Sequence, residues 1–134
     1  MDDIFVARLM SSGIQSVGPE TLVEDAAEQM LSRDIGSLVV VDDDNQLLGI
    51  LTTTDFVDIV AKSKPKAQTT VERYMTTDVV TTTAQASIVD VADLMIEHGI
   101  HHVPVIDDEE GVIGMISTTD LTGYISTVQT PSPA

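Results

Sequence analysis

Two short blocks of this chain, Thr52-Thr53-Thr54-Asp55 and Ser117-Thr118-Thr119-Asp120, place a hydroxyl three residues ahead of a carboxylate where a strand gives way to a helix. That arrangement suits an anion or a sugar. Free backbone N–H groups at a helix N-terminus attract phosphate. A carboxylate in the first turn can accept two hydrogen bonds from a ribose diol, and the neighbouring hydroxyl, Thr52 or Ser117, can bond the phosphate or the sugar. The same residues also suit plain capping, with the hydroxyls as caps and Asp55 and Asp120 favouring the helix dipole. One isolated copy favours capping. Two copies in matching frames favour a ligand.

The frames match because the chain repeats itself. Val6 to Val60 lie on Val71 to Ile125 at a constant offset of 65 without a gap, and 14 of the 55 positions are identical. The identities include Met10/Met75, Asp25/Asp90, Met30/Met95, Gly49/Gly114 and Asp55/Asp120. A unit of about 55 residues is too short to bury a stable core alone. The expectation is an α/β fold in which two tandem repeats pack about a pseudo-two-fold axis, so that a site at their seam occurs twice. The boundaries read as repeat 1 over 6–60, an exposed linker over 61–70, repeat 2 over 71–125 and a frayed tail over 126–134.

Each repeat reads as strand, helix, strand, strand, short helix. Thr21-Leu-Val-Glu24 has capping-box spacing, and Val23, Ala26, Ala27, Met30 and Leu31 follow helical spacing. Ser37–Val41 is a buried strand, Asp42–Asn45 a turn, and Leu47–Leu51 the return strand. A second short helix begins near Thr54 or Asp55. In the second repeat Ser87 caps a helix carrying Ile88, Val91, Ala92, Met95 and Ile96, and Gly99 ends it in a left-handed conformation. Pro104 cannot donate to a ladder and is expected at a strand start or edge.

Of 134 residues 43% are apolar, but only 3% are aromatic, so Val, Ile, Leu, Ala and Met must fill the core. There is no cysteine, hence no disulfide frame or thiolate chemistry. The start lacks the features of a signal peptide and no apolar run reaches membrane-spanning length, so the expected setting is the cytoplasm. The net charge is −16, from 22 acidic and 6 basic residues. Such a surface repels itself at low salt, and molar salt removes most of that cost. The composition points to a high-salt cytoplasm, and argues against nucleic acid, which needs Lys and Arg to neutralise phosphate.

The ordered series resembles the cystathionine-β-synthase (CBS) family, two of whose domains make a Bateman module. The resemblance rests on Met75-Thr76 before Val79-Val80-Thr81, Gly99-Ile-His-His-Val-Pro-Val105 and Gly114–Asp120, and on Met10-Ser11, Ile14, Ile35–Val40 and Gly49–Asp55 in the first repeat. It covers nearly the whole chain. It implies a regulatory, energy-sensing module rather than an enzyme, probed by an adenosine-containing ligand (AMP, ADP, ATP or S-adenosylmethionine), in a homodimer that acts on an effector protein; the rival reading is a nucleotide-free protein–protein interaction or dimerisation module. Carried over by position, one cleft uses Thr52, Thr54 and Asp55 with Val79, Val80, His101, His102, Val103 and Pro104. A second, weaker cleft uses Ser117, Thr119 and Asp120 with Ile14, Gln15, Gly36, Ser37, Leu38 and Val39. His101 and His102 match positions near phosphate in the family, and Gly36 and Ser37 carry no charge, so the Asp55 cleft is expected to take the phosphorylated ligand. Basic groups are scarce, and a triphosphate would need Mg²⁺ or high salt beside it. No obligatory cofactor is implied. The acidic density and the resemblance together suggest a halophilic archaeal source.

Other features have plainer readings. His98, His101 and His102 are too awkwardly spaced for zinc, since adjacent residues in extended chain point apart. The acidic runs Asp42–Asn45 and Asp107–Glu110 lack the spaced ligands of a calcium loop and read as solvated turns. Met10, Met30, Met75, Met95 and Met115 read as core filling. No nucleophile turn or phosphate-loop motif is present.

Overall fold

The computed structural model describes residues 4–62 and 69–128. The first repeat runs α1 (Val6–Leu9), β1 (Ser16–Val17), α2 (Val23–Arg33), β2 (Ser37–Val41), β3 (Leu47–Thr52) and α3 (Thr53–Lys62). The second opens with a 3-10 turn (Val71–Arg73) and continues with α4 (Ile88–His98), β4 (His102–Asp107), β5 (Gly111–Ser117) and α5 (Thr118–Val128). The expected order of elements is present, with a helical turn added at the head of each repeat. One strand is reduced. β1 pairs parallel with β2 through Ser16–Val39 and Val17–Val40, but its counterpart is a single bridge between Thr82 and Val105. Pro104 is the cause. Thr82 N–H donates to the Pro104 carbonyl at 3.0 Å and Ile106 N–H to the Thr82 carbonyl at 2.9 Å. The next rung needs an N–H on residue 104, which proline lacks. Pro104 therefore lies third in β4, not at its start, on the side where the ladder stops.

The described residues form two compact units that do not coincide with the repeats. Of these residues an N/C unit takes in 4–14, 80–107 and 113–128, and a middle unit takes in 15–62, 69–79 and 108–112. Each repeat's opening segment thus belongs with the body of the other. In the middle unit Ile50 and Thr76 exchange N–H···O bonds of 3.0 and 2.9 Å; in the N/C unit Ser11 and Met115 exchange two of 2.9 Å. Two glycines permit the approach. A Cβ on Gly49 would lie 2.7 Å from Met75 Sδ, and one on Gly114 would lie 2.8 Å from Met10 Sδ. The exchange also reaches the cores. Val71 is buried with Val23, Ala26, Met30, Leu38 and Leu51 in the middle unit, and Val6 with Val91, Met95, Val103 and Ile116 in the N/C unit.

Helix starts follow from the same exchange. Val23 N–H donates to the Thr69 carbonyl and Ile88 N–H to the Ile4 carbonyl, both at 2.9 Å. The capping box expected at Thr21–Glu24 does not form: Leu22 is the N-cap of α2 and makes no side-chain cap bond. The Thr21 N–H, which Glu24 would have served in the box, donates to the Gly18 carbonyl at 3.2 Å. Ser87, at the position matching Leu22, does cap α4, accepting from Val89 N–H at 3.1 Å. Gly99 ends α4 at φ 64°, and Asp34, its counterpart, ends α2 at φ 53°. α3 and α5 begin at Thr53 and Thr118, and α5 runs to Val128, past the expected start of the tail. The remainder of the expected linker, 63–68, and of the tail, 129–134, lies outside the described residues.

The acidic turns are tied structures. Asp42 Oδ1 accepts the N–H groups of Asp44 and Gln46, both at 2.9 Å. Asn45, at φ 63°, sends its side-chain amide to the carbonyls of Glu110 (2.8 Å) and Val112 (2.7 Å) and accepts Val112 N–H at 3.0 Å. Gly111 sits beside it at φ 78°, and a Cβ there would run into the Asn45 carbonyl. This staple has no counterpart at the matching positions, which are Glu110 and Gln46.

Among the described residues every acidic side chain is exposed except Asp55 and Asp120, which are half-buried. The exposed carboxylates repel one another in water, and screening at about 1 M salt confines that repulsion to roughly 3 Å. The melting temperature is therefore expected to rise by about 10 °C or more between ~0.1 M and molar KCl. A value constant across a calorimetric salt series would refute a salt-dependent fold.

Candidate functional site

The two exceptional carboxylates stand in the duplicated blocks, and each is built the same way. In the middle unit, Thr52 closes β3 and Asp55 lies in the first turn of α3. Asp55 Oδ2 accepts the Thr52 N–H at 2.8 Å and the Thr52 hydroxyl at 3.3 Å. In the N/C unit, Asp120 Oδ2 accepts the Ser117 N–H at 2.8 Å and the Ser117 hydroxyl at 3.1 Å. Ser117 Oγ also accepts the Asp120 N–H at 3.2 Å, which completes a reciprocal capping box. Capping is thus present in both copies. It occupies one oxygen of each carboxylate. Among the described residues no hydrogen bond goes to Oδ1 of either, so each Oδ1 keeps lone pairs able to accept. Partial burial matters here, because it strengthens a hydrogen bond to the carboxylate relative to one in open water. The first helical N–H groups are held by the residues that precede β2 and β4: Thr53 donates to the Gly36 carbonyl at 3.2 Å and Thr118 to the His101 carbonyl at 3.0 Å.

The remaining expected residues divide by what they expose. Thr54 and Thr119 are exposed, and Ile14, Gln15, Val79, Val80 and Gly36 are half-buried. Gln15 Oε1 accepts from Gln29 Nε2 at 3.1 Å. Leu38 and Val103 are core members, and Ser37, Val39 and Pro104 are buried. The strands Ser37–Val39 and Val103–Pro104 can therefore offer a ligand backbone groups more readily than the Leu38 and Val103 side chains. The structure brings His101 and His102 to the start of α5, in the same unit as Asp120. His101 is exposed and His102 half-buried. Burial lowers the His102 pKa, His101 lowers it further, and the Asp120 carboxylate raises it. His102 is thus biased to the neutral form near pH 7. His98 ends α4 and is exposed. Among the described residues no three His, Cys, Asp or Glu side chains converge as a metal ion would require.

Sequence reasoning did not select the segments Met10-Ser11 and Met75-Thr76 as structural partners of the blocks. They bond β5 and β3, the strands that end in Ser117 and Thr52, and so fix where each block starts. The available signal was that both methionines and both facing glycines recur at the offset of 65.

The CBS domain profile matches residues 6–62 and 71–127. The chain belongs to the CBS domain family. Its fold is that of a tandem CBS pair. A solved CBS domain pair in complex with 5′-methylthioadenosine and S-adenosyl-L-methionine superposes with a TM-score of 0.86 at 25% identity, covering 94% of this chain and 98% of that one. An uncharacterized conserved protein from Pyrococcus horikoshii gives 0.82 at 28% identity, with 100% of both chains covered. Among curated relatives, an uncharacterized 17.7 kDa protein of Acidianus ambivalens is 33% identical over 93% of this chain and 75% of its own length. A homoserine O-acetyltransferase of Methanosalsum zhilinae is 32% identical, but the match spans only 25% of that enzyme. The CBS pair is thus a part of that enzyme, and its name describes a larger protein. Among the described residues no helix is long and apolar enough to cross a membrane.

Proposed function

We propose that this CBS pair is a regulatory, non-catalytic module that binds an adenosine-containing ligand, with Asp55 and Asp120 as the ribose contacts. The observation that carries the reading is the pair of half-buried carboxylates, each capped through Oδ2 with Oδ1 left over. It is supported by the similar pair solved with two adenosyl compounds. That the Asp55 block takes the phosphorylated ligand and the Asp120 block a weaker one is part of the proposal, as is Mg²⁺ beside any triphosphate. Ligand can shift the module only by its differential affinity for two arrangements, and the output passes to an effector protein. Calorimetric titration in molar KCl against AMP, ADP, ATP, S-adenosylmethionine and 5′-methylthioadenosine tests this. Heat from none of them would replace the sensor with a nucleotide-free interaction module. A halophilic cytoplasm as its setting is likewise proposed, on the strength of the net charge of −16.

The module is also proposed to act as a homodimer. Leu31 and Ile96, at matching positions of α2 and α4, are 83% and 81% exposed; Val60 and Ile125, matching on α3 and α5, are 73% and 57% exposed. Large apolar side chains left open at duplicated positions suit an isologous interface. Light scattering in molar salt is expected to give the mass of two chains, and Leu31→Glu/Ile96→Glu or Val60→Glu/Ile125→Glu should reduce it to one. A wild-type monomer at high concentration would exclude the dimer.

A further inference from the structure

The chain holds six methionines and no cysteine, so its oxidisable sulfurs are all thioethers. Two pairs of them recur at the offset of 65. Met30 and Met95 are 5% and 4% exposed and belong to the two cores. Met75 and Met10 are half-buried and pack at the edges of the same cores. A Cβ built on Gly49 would meet Met75 Sδ at 2.7 Å and the Thr76 carbonyl oxygen at 2.8 Å; one on Gly114 would meet Met10 Sδ at 2.8 Å and the Ser11 carbonyl oxygen at 2.9 Å. Each thioether thus fills the notch left by an absent side chain. The carbonyl beside it already accepts a strand N–H, Thr76 from Ile50 at 3.0 Å and Ser11 from Met115 at 2.9 Å. Met115 is half-buried too, but its match is Ile50, so that position needs no sulfur.

We propose that Met10 and Met75 are a matched pair of oxidation sites, at which a peroxide turns each thioether into a sulfoxide and so frees the opening segment of each repeat from the strand it bonds. No adenosine ligand is needed for this. With hydrogen peroxide, a sulfur lone pair attacks one oxygen, the O–O bond breaks and an S–O bond forms. The other oxygen leaves as water after proton transfer; sulfur loses two electrons and the peroxide gains them. A flexible apolar group becomes a polar, chiral one. It has no hydrogen to give the neighbouring carbonyl, and a polar oxygen left without a donor at the edge of a core is costly. On the glycine side there is no room for that oxygen, because a Cβ there would already overlap Sδ. On the open side it draws water to the two-bond exchanges Ser11–Met115 and Ile50–Thr76. The strands so loosened, β5 and β3, end in Ser117 and Thr52, whose N–H groups hold Asp120 and Asp55. Oxidation therefore reaches both blocks, and enzymatic reduction of the sulfoxides reverses it.

The test is hydrogen peroxide treatment in molar KCl, read by peptide mass mapping, calorimetric melting and amide hydrogen exchange. Met10 and Met75 are expected to gain one oxygen each before Met30 and Met95 do. The melting temperature is expected to fall by about 5 °C or more. The Ser11, Ile50, Thr76 and Met115 amides should exchange at least roughly tenfold faster, with the Val40 and Val105 amides changed less. Met10→Leu/Met75→Leu keeps the apolar filling and should hold its melting temperature through the same treatment. If that variant does not fold, graded peroxide doses on the wild type serve instead, with the loss expected to track oxygen at Met10 and Met75. Both methionines oxidised with melting and exchange unchanged overturns the proposal. So does exchange accelerated equally at all these amides, or a leucine variant that loses as much as the wild type. Met10 and Met75 left reduced at a dose that oxidises the urea-unfolded chain overturns it as well.

Discussion

Gly111→Ala is expected to destabilise the protein by about 3 kcal/mol, a large share of a total stability of roughly 5–15 kcal/mol. Two costs combine. Residue 111 sits at φ 78°, and an added Cβ would meet the Asn45 carbonyl, which is backbone and cannot swing away. Asn45→Ala removes the other half of the staple, its amide bonds to the Glu110 and Val112 carbonyls, and should cost about 1–2 kcal/mol. Gly123→Ala provides the opposite sign. Gly123 lies within α5, and a Cβ there meets nothing within 4 Å, so alanine should stabilise by roughly 0.5–1 kcal/mol through lower unfolded-state entropy and better helix propensity. Urea denaturation in molar KCl reads all three without changing ionic strength. A Gly111→Ala midpoint equal to that of the wild type would show that the staple contributes nothing.

Asp55→Ala is expected to weaken AMP binding at least tenfold. On the proposed ribose role it would remove charge-assisted hydrogen bonds, each worth about 1.5–3 kcal/mol. Asp120→Ala is expected to leave that event nearly intact and to abolish a weaker second one. Neither variant is structurally silent. Each Asp is half-buried and caps its own helix through Oδ2, so each substitution should also cost about 1 kcal/mol of stability. Because that cost is matched in the two variants, a difference between them in affinity reports the ligand and not the fold. Asp→Asn at each position retains a capping oxygen and removes the charge. The comparison also assigns the histidines. If Asp120→Ala proves the more damaging for AMP, His101 and His102 serve the carboxylate of their own unit. Equal, unchanged affinity in both variants would remove the ribose role.

Much of this protein is determined by its sequence alone, because the information is local. Helical spacing at Val23–Leu31 and Ile88–Ile96, the alternation of turn and strand, and the left-handed end at Gly99 depend on residues within a few positions of one another. The duplicated Thr/Ser-x-x-Asp block is visible for the same reason, since a repeat needs only one chain to be compared with itself. Pro104 was legible as an obstacle to pairing. Which rung it removes depends on Thr82, twenty-two residues away. At the start of α2 the N-cap is Leu22 rather than Thr21, and the first helical N–H, on Val23, goes to the sequence-distant Thr69 carbonyl. The Asn45–Gly111 staple was invisible because it is not repeated, and a single glycine after an acidic run reads as an ordinary turn.

The tertiary structure decided the partners. Met10 and Met75, Gly49 and Gly114 recur at a fixed offset, which marks them as equivalent pairs without saying that they meet. Both copies offer the same chemistry, however, and nothing local distinguishes Met10 on Gly49 from Met10 on Gly114. Packing made that choice, setting each opening segment with the body of the other repeat. Burial of the two block carboxylates is likewise a tertiary fact. By composition Asp55 and Asp120 are two among 22 acidic residues, and only the fold withdraws these two from solvent with one oxygen engaged and the other open.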